Sequence, residues 1–182
     1  MNSERMSEGK SDYSIEYSRD EKGRLKKKAV YTGPDFYYAL PEEYRNKAKK
    51  IMAAFIAADL VFTLIPLLIP DPLMHKWYTS APLIICLLGD IHLLMGLYVF
   101  FRAKEPLKRE ETKNGFERIA IWSLLNTIFS FTSVTGQIIW HVKNGFLPID
   151  TLITLSTFLL LVFSVLICKT KGCAEAKESG TC

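Results

Sequence analysis

The sequence predicts an all-α integral membrane protein: a four-transmembrane-helix antiparallel bundle with a short cytosolic N-terminal β-hairpin. Three observations predict it. Apolar residues gather in four blocks, 51–69, 81–101, 119–142 and 151–168, each about 18–24 residues long, which at 1.5 Å rise per residue matches a hydrocarbon core of roughly 30 Å. None of the blocks contains Lys or Arg, whereas the long core helices of a soluble bundle carry charge along one face. Between residues 13 and 31 the pattern changes to the two-residue alternation of strands.

Taken in order, residues 1–12 are small and charged and are expected to be disordered. In the segment that follows, Tyr13, Ile15 and Tyr17 alternate with polar residues, as do Leu25, Ala29 and Tyr31 beyond "DEKG", a turn whose leading Asp and fourth-place Gly suit a hairpin. A two-stranded hairpin is marginal alone in water, so its apolar face needs a support. Residues 13–40 are therefore assigned to the hairpin and a linker, with Gly33-Pro34 as a turn. Pro41 is placed to open the first helix, with Glu42 and Glu43 in the turn that favours negative charge. Residues 41–168 form the membrane bundle and 169–182 a cytosolic tail. Tyr37, Tyr38, Tyr44 and Trp122 are expected at the inner headgroup level, and Trp77, Tyr78 and Trp140 at the outer one.

Orientation follows from the basic residues. Of 23 Lys and Arg, twelve lie in residues 1–50, six in 102–118 and three after Cys168, while the connections around 70–80 and 143–150 hold only Lys76 and Lys143. Positive charge stays on the cytoplasmic side. The expectation is a multi-pass protein of the cell membrane with both termini cytoplasmic. The net charge of +4 is then a topology signal and gives no reason to expect a nucleic-acid partner. Lys26, Lys27 and Lys28, with Arg45, Lys47, Lys49 and Lys50, are expected to contact anionic lipid headgroups. Cys168, Cys173 and Cys182 fall at or beyond the cytoplasmic end of the last block, where thiols stay reduced, and no disulfide is expected.

Chemistry concentrates in a few polar residues inside the blocks. Asp59 and Asp90 each lie one residue from the middle of their span, at a depth where an Asp costs on the order of 2.5–3.5 kcal/mol. Intramembrane ionisable groups are functional candidates. With no Lys or Arg at that depth, at least one of the two is expected to be protonated at neutral pH. A neutral Asp also bonds helices together, and Asp59 has Thr63 one turn away and an amide within reach on the third span. That span carries Ser123, Asn126, Ser130, Ser133 and Gln137 at spacings of three and four, a single polar stripe. The fourth carries Asp150, Thr154, Thr157 and Ser164, with Asp150 where an N-cap would be.

In "GDIHLLMG", Asp90 and His92 point about 200° apart on a helix and cannot serve one site. His92 instead shares a face with Gly89 and Gly96, which points to close helix packing. His75 and His141, near the outer surface, are expected to be solvated or to face the headgroups. No nucleophile elbow, zinc motif, P-loop, dinucleotide fingerprint or redox cysteine pair is present, so neither enzyme activity nor a metal or other cofactor is expected.

Two functions remain. The first is a non-enzymatic accessory or assembly subunit, in the lipid bilayer with a homo-oligomeric or other membrane-protein partner, which it meets through the polar seam. The second is a small proton-coupled transporter using Asp59 and Asp90.

Overall fold

The computed structural model describes residues 13–19, 25–38, 41–145, 147–170 and 176–178. The segment expected to be disordered (1–12), the hairpin turn (20–24) and Cys173 and Cys182 lie outside the described residues.

Four helices are long and apolar enough to cross a membrane. Helix α1 (Glu42–Leu68) starts directly after Pro41, with Glu42 and Glu43 in its first turn, and contains Pro66. A short turn, Pro72–His75, follows, opened by Asp71, whose Oδ1 accepts the Leu73 N–H at 2.8 Å. Helix α2 runs Trp77–Arg102.

Helix α3 (Arg109–Asn144) is α-helical over Arg109–Thr112, passes a π turn at Lys113–Glu117 and continues as α-helix over Arg118–Asn144. It therefore begins well before its apolar block. The cause is local: the Glu111 carboxylate accepts the Lys108 N–H at 3.0 Å and the Glu111 N–H donates to the Lys108 carbonyl at 3.0 Å, in a polar turn that apolar patterning does not mark. Gly145, at φ 83°, ends it. Helix α4 spans Pro148–Thr170. Its start at Pro148 puts Asp150 inside the first turn, 2% exposed, and not at the N-cap position that the sequence suggested.

Each helix packs on its neighbours in sequence and α4 closes back on α1, an up-down-up-down bundle. Large apolar side chains such as Val61, Leu88, Phe131 and Leu155 face outward, while the small polar ones face inward. This inverted pattern is compatible with a multi-pass membrane protein, since a soluble bundle would not leave so continuous an apolar surface in water.

The end of the bundle that carries the termini is filled by Met52, Ile56, Leu93, Phe100, Ile119 and Ile167. Strands gather over it. β1 (Tyr13–Arg19) pairs antiparallel with β2 (Leu25–Tyr31), Tyr13 opposite Tyr31, and β3 (Phe36–Tyr38) pairs with β4 (Ala176–Glu178). Phe36 also exchanges both backbone hydrogen bonds with Leu107, at 3.0 and 2.8 Å. The Tyr31 hydroxyl donates to Pro34 O at 2.9 Å and accepts the Arg109 N–H at 3.0 Å.

Tyr38 anchors this layer. Its ring lies 5.9 Å from Phe100 and 5.7 Å from Phe116, its N–H donates to Glu105, and Arg45 pairs with the same Glu105 at 3.0 Å while stacking 4.6 Å above the Tyr38 ring. Tyr37 and Tyr44 remain exposed, so of the three tyrosines expected at the headgroups Tyr38 instead turns into the bundle end.

Burial, opposed by the Arg45 guanidinium and assisted by Glu105 and Glu111, pushes the Tyr38 phenol from its ordinary 10.0 up to about 12. The neutral form is favoured in the folded protein. Its contribution to stability is therefore complete below pH 10 and lost as pH rises through about 12. In detergent, the unfolding midpoint of the wild type is expected to fall across that window, and Tyr38→Phe, which cannot ionise, should fall less. Parallel declines in the two proteins would contradict the placement.

Candidate functional site: a carboxyl clamp shared by four helices

Asp59, Asp90, Asn126 and Ser164 come from α1, α2, α3 and α4 respectively, and all four are fully buried. Asn126 is the hub. Its Nδ2 donates to Asp90 Oδ1 at 2.8 Å and to Asp59 Oδ2 at 3.3 Å, while the Ser164 hydroxyl donates to Asp59 Oδ1 at 2.9 Å. The two carboxyl groups lie within hydrogen-bonding reach of each other. Thr63 donates to the Asp59 carbonyl at 2.9 Å.

The local sequence explains why these groups can meet. Gly89 lets α3 approach α2 until Asn126 rests against its backbone: a Cβ at position 89 would fall 2.0 Å from Asn126 Oδ1. Gly96 plays the same part nearer the termini, where a Cβ would lie 2.7 Å from Ile119 Cγ1 and 3.1 Å from the Gly115 carbonyl. Between these glycines His92 stacks on Trp122, with ring centroids 4.3 Å apart and planes 8° from parallel. All three packing residues named from the sequence thus face α3, and His92 is directed to Trp122 and away from the carboxyl pair.

A count of donors defines the chemistry. Among the described residues, Ser164 and the two N–H bonds of Asn126 supply three hydrogen bonds to four carboxyl oxygens, and Asp90 Oδ2 receives none from a protein donor. Among the described residues no Lys or Arg lies in this layer. A close contact between two carboxyl groups is attractive only when one carries a proton. What the geometry offers is a proton-binding pair in which a shared hydrogen satisfies the remaining oxygen.

The rest of the polar stripe extends from this pair toward the short connections. Ser130, Ser133 and Gln137 are all fully buried; Ser133 donates to Thr79 O at 3.0 Å, and Gln137 Nε2 donates to Thr157 Oγ1 at 3.0 Å and Ser133 Oγ at 3.3 Å. His141 ends it, only 2% exposed and 2.8 Å from Thr154 Oγ1, so it is not the solvated residue expected near the outer surface. Nor does the seam form an outer face. It is enclosed by this chain's own four helices, and a partner meeting the bundle side-on would touch apolar residues.

The basic residues divide. Lys47 and Lys50 are exposed, but Arg45 is paired with Glu105, and Lys49 is only 9% exposed, its Nζ 5.0 Å from the Phe100 ring centre. Lys26, Lys27 and Lys28 lie on β2. Thr79 and Asp71 were missed from the sequence. The signal for Thr79 was available, since an inward Thr two turns from Cys86 continues the buried face of α2, whereas nothing local marks Asp71 as buried. Among the described residues no three His, Cys, Asp or Glu side chains converge on a point that would hold a metal. Compared with protein-family models, curated proteins and solved structures, the chain matches none.

Proposed function

We propose that this is a non-enzymatic accessory or assembly subunit of the cell membrane, multi-pass with both termini cytoplasmic, whose four helices are held in register by a protonated carboxyl clamp. One observation carries the reading: each helix contributes one side chain to a fully buried cluster, and the cluster's bonds run between helices. Interhelical hydrogen bonds in membranes contribute about 0.6 kcal/mol each on average, so three hold the bundle by about 2 kcal/mol beyond packing. Partners, a second copy or another membrane protein, meet the apolar outer faces or the strands at the terminal end. Nucleic acid is not among them.

A second reading, a small proton-coupled transporter, is favoured by the oxygen of Asp90 that lacks a protein donor. Proteoliposomes with an internal pH dye and an ethidium gradient separate the two. The subunit reading expects the same background proton signal from wild type and Asp59→Asn. Solute-dependent proton flux in wild type that disappears in Asp59→Asn would replace it with the transporter.

A further inference from the structure

We infer that the Asp59–Asp90 pair exchanges its proton with one side of the membrane only, the side of the two short connections, and is sealed from the side of the termini. This rests on the reading that the pair holds a proton.

The two halves of the bundle interior differ in kind. Toward the termini, Met52, Ile56, Leu93, Phe100, Ile119 and Ile167 fill the space between the helices, and the rings of Tyr38 and Phe116 close against Phe100 at its end. Apart from Lys49 at the rim, the buried polar groups described in that half are Ser123, whose hydroxyl is committed to Ala120 O at 3.1 Å, and the His92 Nδ1, only about 3 Å along α2 from Asp90. From Asp59 to Lys49 this plug is about 15 Å thick along α1. Beyond His92 it offers a proton no stepping stone before Lys49.

Toward the short connections the buried face of α3 stays polar for about 22 Å, from Asn126 through Ser130, Ser133 and Gln137 to His141, while Leu83, Cys86 and Leu160 pack in the same half of the bundle. Gln137 bonds both Ser133 and Thr157. Thr154 donates its own hydroxyl to Asp150 O at 2.9 Å, so the 2.8 Å contact with His141 is made by an imidazole N–H donating to Thr154. Thr154 is half-buried at the end of this run. Two carbonyl oxygens on the run, Asn126 Oδ1 and Gln137 Oε1, are buried without a protein donor. Such an oxygen costs about 1–3 kcal/mol unless a donor reaches it, and water is the donor that fits. Hydroxyls, amides and an imidazole spaced this way are the materials of intramembrane proton relays.

The titratable groups on each side agree with this direction. Cys86 lies beside the pair on α2, and His92 faces Trp122. On the side of the short connections stand His141, then Asp150 within hydrogen-bonding reach of Asp71, with Lys76 held 5.1 Å over the Trp140 ring and His75 and Lys143 exposed. Lys49, Arg45 and Tyr38 lie behind the plug.

The test uses the whole protein in liposomes buffered independently inside and outside, with orientation fixed by protease access to the terminal segment. Infrared absorption of protonated carboxyl groups is assigned by its loss in the Asp59→Asn, Asp90→Asn double variant. The expected result is a band that follows the pH at the short-connection face and ignores the other, with Gln137→Leu slowing the response about tenfold. A band that follows the terminal face, or neither face, overturns the inference. Should Gln137→Leu not fold, the wild-type sidedness decides alone. Absence of the band at every pH would instead refute the protonated clamp itself.

Discussion

A methyl group at position 89 is expected to cost this protein about 2–4 kcal/mol of stability, more than any surface change and most core truncations of one carbon. The Cβ of Gly89→Ala would sit 2.0 Å from Asn126 Oδ1, so either the amide leaves its place or α2 and α3 separate. Moving the amide breaks its bonds to Asp59 and Asp90 and leaves both carboxyls short of donors. The prediction is sharpest as a double-mutant cycle. In an Asn126→Ala background there is no amide to displace, so adding Gly89→Ala should cost less than about 1 kcal/mol. Unfolding of the four proteins in mixed detergent measures the coupling, and additive effects would show that Gly89 and Asn126 do not share a contact.

Asp59→Leu and Asp59→Asn should differ by about 2–3 kcal/mol, with Leu the more damaging although it is the more apolar. Leucine would relieve the insertion cost of a carboxyl, yet it strands the Ser164 hydroxyl and one Asn126 N–H inside the bundle. Asparagine keeps one acceptor oxygen, and its NH2 can donate to the Ser164 hydroxyl or to Asp90, so most of the cluster survives without the shared proton. Membrane abundance and thermal stability should thus be near wild type for Asn and severely reduced for Leu. Equal loss with both substitutions would mean that the carboxyl acts by its chemistry and not as a hydrogen-bonding strut.

The composition of the spans and the depth of the two aspartates were legible in the sequence because both depend on local properties. A run without Lys or Arg and a carboxyl in its middle need no knowledge of neighbours. The stripe from Asn126 to Gln137 was legible for the same reason, since helical period alone puts those residues on one face.

What could not be read was which face meets which. The seam looked like a docking surface because period says nothing about whether a polar face turns toward this chain's own helices or toward another's. Ser164 was visible as a member of a thinner stripe, but its bond to Asp59 depends on α4 closing against α1. Asp150 and His141 were misjudged because helix ends were placed by apolarity, and both helices run past their apolar blocks into polar turns. Tyr38 was assigned to the lipid interface from its type and position, whereas its environment is made by Phe100, Phe116 and Arg45, all distant in the chain.

The pairing of β3 with β4 sets an order of events during synthesis. Phe36–Tyr38 leaves the ribosome before any of the four helices exists, and its partner Ala176–Glu178 follows the last of them. Until then the early strand has Leu107 and the Glu105 carboxylate to bond, and the rings of Phe100 and Phe116 that receive Tyr38 arrive midway. The lid over this end of the bundle is therefore fastened last, after all four helices have been made.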